Sequence, residues 1–350
     1  MKLLVTGGAG FIGSALIRHS IKELEYEVLC LDKLTYASSL DSLKDVQENP
    51  LFKFKKEDIC NEHSVFKILK DFKPNVLINL AAETHVDRSI DGPDEFIKSN
   101  IIGTFSILQA ALKFWKSLKN PEKDRFRFHH VSTDEVFGDL GKDQDPFSEL
   151  TPYDPSSPYS ATKASSDHLV RSWHKTYGLP VLISNCSNNY GPYQFTEKLI
   201  PLIIIKALKG ESLPIYGKGN QIRDWLFVED HVKALVDIFH NGKIGESYNV
   251  GGNCEKTNLE VVKEICSVLD DQVKDLPSGI LKHEELIKFV EDRPGHDKRY
   301  AINSSKIQKE LNWNPEENFK TGIKKTIEWY IENQDNLNYL TSRLGLGDKK

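Results

Sequence analysis

Cysteine is scarce in this 350-residue chain: five residues, at Cys30, Cys60, Cys186, Cys254 and Cys266. They are odd in number, scattered and never in a C-x-x-C pair. That argues against a disulfide framework and against a zinc site, so no metal is expected. The thiols read as reduced groups of a cytoplasmic protein. No apolar run is long enough to span a bilayer, so no membrane partner is expected. The opening Met-Lys-Leu-Leu-Val-Thr-Gly-Gly enters a strand pattern without the basic stretch and long apolar segment of a secretory leader. A basic excess is also missing. The 46 basic and 51 acidic residues give a net charge of -5, which does not suit a nucleic-acid surface. Internal repeats and low-complexity tracts are absent.

What is present describes a globular chain: 39% hydrophobic and 28% charged residues. Its length suits one large α/β unit plus a smaller lobe. Short apolar runs at Leu3 to Thr6, Val28 to Asp32, Phe52 to Phe54, Val76 to Leu80, His129 to Ser132 and Val181 to Ser184 suit strands buried on both faces. Helical patterns lie between them at Ile12 to Lys22, His63 to Phe72, Asp94 to Lys116 and Tyr159 to Tyr177. This alternation predicts an α/β fold: a Rossmann-type doubly wound parallel sheet with right-handed crossovers. From about Asn188, Pro and Gly punctuate the chain. Helical patterns then recur at Lys198 to Lys209, His231 to His240, Asn258 to Leu269 and Phe319 to Glu332. The expected division is a Rossmann unit over 1–187, with 222–245 returning to it. Residues 188–350 make mainly a smaller, interleaved mixed α/β substrate lobe.

Gly7, Gly10 and Gly13 are spaced G-x-x-G-x-x-G between the first strand and first helix. Glycine there permits a tight turn and close approach of backbone N–H groups to a pyrophosphate, which the positive end of the helix attracts. Asp32 ends the second strand about 20 residues further on, where a carboxylate holds ribose hydroxyls and repels a 2′-phosphate. The cofactor expected is therefore NAD. Lys33 beside it softens that repulsion without reversing the preference.

Tyr159-Ser-Ala-Thr-Lys163 puts a phenol and an ammonium one helical turn apart, on one face. The lysine charge favours phenolate, which makes Tyr159 a base for a hydroxyl proton while hydride leaves the carbon. As a bare spacing this is more often a surface pair. Its place after a Rossmann half, with Ser132-Thr133 at a preceding strand end, favours the redox reading.

Together these segments resemble the extended short-chain dehydrogenases/reductases along nearly the whole chain. The carriers are Thr6 to Gly13, Leu31 to Tyr36, Ala81 to Ser89, Ser132 to Gly138, Tyr159 to Lys163, Asn185 to Pro192, Glu197 to Pro201 and Asp292 to His296. The resemblance implies tightly held NAD and a nucleotide-sugar substrate, with dTDP-glucose favoured. It is closest to the dehydratases of that family, because the epimerases lack an acid pair at Asp134-Glu135. Two adjacent carboxylates can split their pKa values and take opposite roles. By resemblance, Asp134 is the acid, Glu135 the base, and Thr133 holds the reacting oxygen. C4 would be oxidised, water lost across C5 and C6, and hydride returned to C6 from the reduced cofactor.

The match also implies a cofactor set of Gly7, Gly10, Phe11, Ile12, Gly13, Asp32, Lys33, Leu34, Thr35, Asp58, Ile59, Leu80, Ala81, Ala82, Thr84, Ser99 and Asn189, with Tyr159 and Lys163. For the substrate it implies Thr84, Thr133, Asn188, Lys198, Leu199, Pro214, Ile215, Tyr216, Arg223, Asn258, Asp292, Arg293 and His296. Lys198, Arg223 and Arg293 are the candidate diphosphate cations; Tyr216 is placed to stack on the base. Ser99 and Thr196 stand where the family often has Thr and Pro. A homodimer through the helices at Asp94 to Lys116 and Tyr159 to Tyr177 is implied too. Three readings remain open beside the main one: a nucleotide-sugar epimerase, a dehydratase of another nucleotide hexose, and a non-catalytic NAD sensor.

Overall fold

Leu3, Leu4 and Val5 have no exposed surface; they form β1 (Lys2–Thr6), the middle of a sheet covered on both sides. In this computed structural model, which describes residues 1–334 except 142, 275, 277, 278, 293 and 294, the other early apolar runs also become strands. They are β2 (Glu27–Asp32), β3 (Phe52–Lys56), β4 (Val76–Asn79), β5 (Arg127–Thr133) and β6 (Val181–Cys186). Six short strands follow: β7 (Asn188–Tyr190), β8 (Leu213–Tyr216), β9 (Ile222–Phe227), β10 (Ser247–Val250), β11 (Glu255–Thr257) and β12 (Ile287–Val290).

The main sheet has seven strands in the order β10-β6-β5-β4-β1-β2-β3, paired in parallel throughout. The chain reverses direction between β1 and β4, which opens a crevice at their C-terminal ends. The seventh strand, β10, comes from the C-terminal half and pairs with β6. Two small sheets, β11-β9-β7 and β12-β8, stand outside it.

The helices are α1 (Phe11–Lys22), α2 (Glu62–Phe72), α3 (Val86–Asp91), α4 (Asp94–Phe96), α5 (Gly103–Ser117), α6 (Glu122–Arg125), α7 (Pro158–Tyr177), α8 (Leu199–Leu208), α9 (Val228–Asn241), α10 (Asn258–Gln272), α11 (Ser305–Leu311) and α12 (Phe319–Glu332). Leu16 and Ile17 of α1 share a core with Val232, Leu235 and Ile238 of α9 on one face of the sheet. The opposite face is covered by Val65 and Leu69 of α2, Ile107 and Ala111 of α5, and Val170 of α7. Side chains of α8, α10 and α12 form a third core around Tyr190 and Trp225.

Two local features position the site. Helix α7 starts where Ser157 and Ser160 exchange capping bonds and Pro158 takes the first helical position; it stops at Gly178 with φ +73°. Such a cap is worth about 1 kcal/mol, and it sets Tyr159 and Lys163 at the helix entrance. The single helix expected over Asp94 to Lys116 is instead broken. Residues Ile97–Ile102 form a π-helical turn between α4 and α5. The wider turn lets the Asn100 side chain accept from Glu83 N–H (2.9 Å) and donate to Thr162 Oγ1 (2.9 Å). Such turns recur at functional sites.

Candidate active site

A cleft crosses the C-terminal edge of the main sheet, from the glycine turn at one end to Tyr159 and Lys163 at the other. Its cofactor end is made mostly of backbone. Gly7 has φ +66°, and a Cβ there would lie 2.7 Å from Ala81 N. A Cβ on Gly13 would lie 2.3 Å from Gly7 O, so the turn and α1 pack as closely as only glycine allows. No side chain caps α1, so its first N–H groups point into the cleft.

Asp32 is buried beside this turn. Its carboxylate accepts from Ala9 N (3.0 Å), Leu34 N (2.8 Å) and Ser38 Oγ (3.1 Å). Burial pushes its pKa up, against these hydrogen bonds. Lys33 donates to Ser99 Oγ (2.9 Å) and stands 3.9 Å from Asp58. Leu34 differs from its neighbours: its φ is +57° and its side chain packs on the core beside α1 rather than on the cleft wall. The other residues expected around the cofactor all line the cleft.

The reaction end is made of buried side chains. Thr133 closes β5, and its hydroxyl hydrogen-bonds the Tyr159 phenol. Asp134 is 1% exposed. Burial, then the neighbouring Glu135 charge, push its pKa well up, which favours its protonated form. Burial and Glu135 also push Tyr159 well up, while the Thr133 bond works the other way. Lys163 Nζ donates to Val131 O at 2.9 Å, and burial lowers its pKa. The expectation that Lys163 dominates the phenol therefore needs correcting: desolvation outweighs its charge in this geometry.

Among the described residues, five buried polar atoms on the cleft wall have no hydrogen-bond partner: Ser132 Oγ, Asp134 Oδ2, Ser187 Oγ, Asn188 Oδ1 and Gln194 Oε1. Buried polar groups are normally satisfied, so these donors and acceptors suit a ligand. With the glycine cradle and the open helix end, the residues present fit a dinucleotide along the cleft and a polyhydroxy substrate at its reaction end.

Thr84, Asn188 and Lys198 also lie on the wall, and Lys198 Nζ donates to Thr84 O (3.0 Å). A second group gathers in the smaller lobe. Asp292 accepts from Gln221 Nε2 (3.0 Å) and sits 2.7 Å from His296 Nδ1; the Tyr216 ring meets the His296 ring edge-on. Asn258 N–H donates to Gln221 O (3.0 Å). Pro214 and Ile215 lie with Tyr216 on β8, and Leu199 opens α8. Arg223 is buried, donates to Asp297 O (2.9 Å) and stacks on Tyr300; its charge reaches Asp134. Arg293 lies outside the described residues.

Sequence reasoning missed Glu83, Cys186, Ser187, Gln194, Phe195 and Glu197, all on the cleft wall. It also missed Asp224, fully buried and pushed up to about 6 by desolvation, whose charge raises Asp134. Cys186 and Ser187 had a signal: they follow a strand end, as Thr133 does.

A doubly wound sheet with a glycine turn at its switch point and a Tyr–Lys pair opposite defines an extended short-chain dehydrogenase/reductase. The family model for GDP-mannose 4,6-dehydratase matches residues 4–326. The dTDP-glucose 4,6-dehydratase of Neisseria meningitidis is 53% identical over 99% of both chains. The crystal structure of the dTDP-glucose 4,6-dehydratase DesIV from Streptomyces venezuelae, with NAD and TYD bound, superposes with a TM-score of 0.87 at 39% identity. That match covers 97% of this chain and all of the other. The UDP-glucose 4-epimerase of Thermotoga maritima with UDP-glucose shares the fold (TM-score 0.82) at 26% identity, over 95% of this chain and 100% of that one. The chain belongs to the GDP-mannose 4,6-dehydratase family, within its dTDP-glucose 4,6-dehydratase group.

Proposed function

We infer that the enzyme converts dTDP-glucose into dTDP-4-keto-6-deoxyglucose, a hydro-lyase reaction with no net oxidation. One observation carries this reading. A buried Asp134, its pKa pushed well up by desolvation, and its neighbour Glu135 share the cleft end with Tyr159.

When bound, NAD supplies the hydride acceptor for C4 and the donor for C6. Tyr159 takes the C4 hydroxyl proton, guided by Thr133. The phenol's upward shift makes its ionised form a strong base, and Lys163 stands one turn along the same helix. A C4 ketone acidifies the C5 proton, and Glu135 removes it. Asp134, whose burial favours the protonated form, gives its proton to the departing C6 hydroxyl. The Asp134-Glu135 pair thus divides acid and base work between a desolvated group and its neighbour.

We assign the cofactor to the 1–187 unit, with 222–245 returning to it, and the nucleotide handle to the smaller lobe. There Tyr216, Asp292 and His296 gather around Gln221, with Lys198 and Arg223 as cations toward the diphosphate. The five free thiols fit a reducing cytoplasm. We also propose a homodimer through α5, the π-helical turn before it and α7, where Ile97, Ile102, Phe105 and Tyr177 are exposed. Phe105 meets Trp173 edge-on there. Such a patch marks an interface.

The test is a comparison of nucleotide hexoses. The enzyme should release a product lighter by one water from dTDP-glucose, and far less from the UDP and GDP sugars. Turnover of all three at equal kcat/KM overturns the nucleotide assignment. Sedimentation of native protein and Phe105→Glu tests the dimer: the variant should sediment as a monomer.

A further inference from the structure

Beneath Lys163 lies a polar chain that the mechanism above does not use. Ala81 N–H donates to Thr6 Oγ1 (3.4 Å), and Thr6 donates to Asn79 Oδ1 (2.7 Å). That leaves Asn79 Nδ2 to donate to His130 Nδ1, 3.1 Å away. His130 Nδ1 is then an acceptor, so in a neutral imidazole the proton sits on Nε2. His130 is 1% exposed, and burial lowers its pKa, so it is neutral. Its Nε2 stands 3.4 Å from Asp167 Oδ1.

Asp167 collects further donors. Tyr153 donates its hydroxyl to Oδ2 (2.8 Å), and Asn185 Nδ2 lies 3.1 Å from the same oxygen. Arg171, on α7, backs Tyr153 by donating to its hydroxyl (2.8 Å). The hydrogen-bonded chain thus runs from β1 through β4 to His130 on β5 and ends there; the Asp167 carboxylate, which has no exposed surface, is held directly by Tyr153 and Asn185, with His130 Nε2 close by. Burial alone would push the Asp167 carboxyl up. Contacts from His130, Lys163 and Tyr153 outweigh it and hold the carboxyl below its usual range.

Asp167 is four residues after Lys163, one turn along the same helix face. Both are buried. Two groups act on the Lys163 ammonium against its desolvation: the Asp167 carboxylate first, then Cys186. The Cys186 thiol is pushed up to about 12 by burial and stays neutral. Asp167 is the charged one of the two.

We propose that Asp167 is a positioning residue: its carboxylate, held by Tyr153 and Asn185 one helical turn from Lys163, is the buried counter-charge that keeps Lys163 an ammonium. A buried lysine without a partner discharges readily. Removal of the charge should therefore move the alkaline fall in rate to lower pH. Lys163 would lose its proton earlier as pH rises.

The test uses holoenzyme and reads kcat and KM for dTDP-glucose against pH in Asp167→Asn and Asp167→Glu. Asp167→Asn should lower kcat about tenfold near neutral pH, with a deficit that widens as pH rises. KM should stay within about twofold, because Asp167 does not line the cleft. Asp167→Glu should recover most of the loss. A native pH profile in folded, NAD-loaded Asp167→Asn overturns the proposal, as does an equal deficit at every pH. Tyr153→Phe and His130→Asn carry the test if Asp167→Asn does not fold. Each withdraws one donor and should move the alkaline limb the same way by less; unchanged limbs in both overturn the proposal.

Discussion

The two ends of the cleft are built from different materials. At the cofactor end the shape is set by backbone: Gly7 and Gly13 leave no room for a Cβ, and α1 offers uncapped N–H groups. At the reaction end it is set by buried ionisable side chains, with Asp134, Tyr159 and Lys163 all nine-tenths or more out of solvent. The first end is sensitive to volume and tolerant of charge. The second is sensitive to charge, because desolvation dominates every shift there. A dinucleotide needs a fit that does not change through the cycle. The sugar needs groups whose protons move.

The sharpest way to break this contrast is at the reaction end. Tyr159→Phe keeps volume and removes the proton carrier, so kcat should fall about 10³- to 10⁴-fold while bound NAD stays at the native level. Loss of NAD from this variant would show that the two ends are not separable. Glu135→Gln should cost a similar factor in product release. It should still oxidise C4, so one equivalent of reduced nicotinamide should accumulate by absorbance.

A smaller effect concerns acid stability. His129 and His231 are fully buried, bonded to Ser184 and Asn189, and lowered to about 3 by desolvation. An unfolded imidazole titrates near its usual 6.5. Below that value the unfolded chain binds protons that the folded one does not. Their stability is present above pH 6.5 and lost as pH falls toward 3. From pH 6.5 to 5 the two together should cost on the order of 3 kcal/mol. Denaturant midpoints across that range measure it, and a His231→Gln variant should show a shallower slope. The smallest effect is at the cofactor end. Gly13→Ala overpacks the turn by about 1–3 kcal/mol, which should weaken NAD retention, while Ile12→Val on the same wall should leave it near native. Equal losses in both variants would mean that side chains, not backbone, shape this end.

The same contrast explains what was legible in the sequence. Backbone demands leave glycine, so Gly7, Gly10 and Gly13 stand out, and β1, β2, β4, β5 and β6 stand out as apolar runs buried on both faces; β3, expected to be buried likewise, is the sheet's edge, with its lysines exposed. The Asp134-Glu135 pair was legible because it follows the end of β5. Strand β10 was not: Ser247-Tyr-Asn-Val250 is half polar, and Asn249 is buried only because it donates to Phe147 O. The π-helical turn at Ile97–Ile102 was hidden, because its residues keep a helical apolar pattern while Asn100 turns to hold Glu83. Asp167 carried a signal in its i+4 spacing from Lys163, but a lone Asp on a helix reads as solvated until its neighbours are known. Of the second-lobe residues, Pro214, Ile215, Tyr216 and Arg223 lie in short strands, and Asp292 and His296 follow another, where periodicity has too few residues to speak.

The central claim is that the acid pair turns C4 oxidation into elimination. Turnover of dTDP-glucose in heavy water, followed by mass and proton spectra of the product, tests it most directly. A product lighter by one water and carrying solvent deuterium at C5 is the predicted result; a sugar of unchanged formula, inverted at C4, would contradict it.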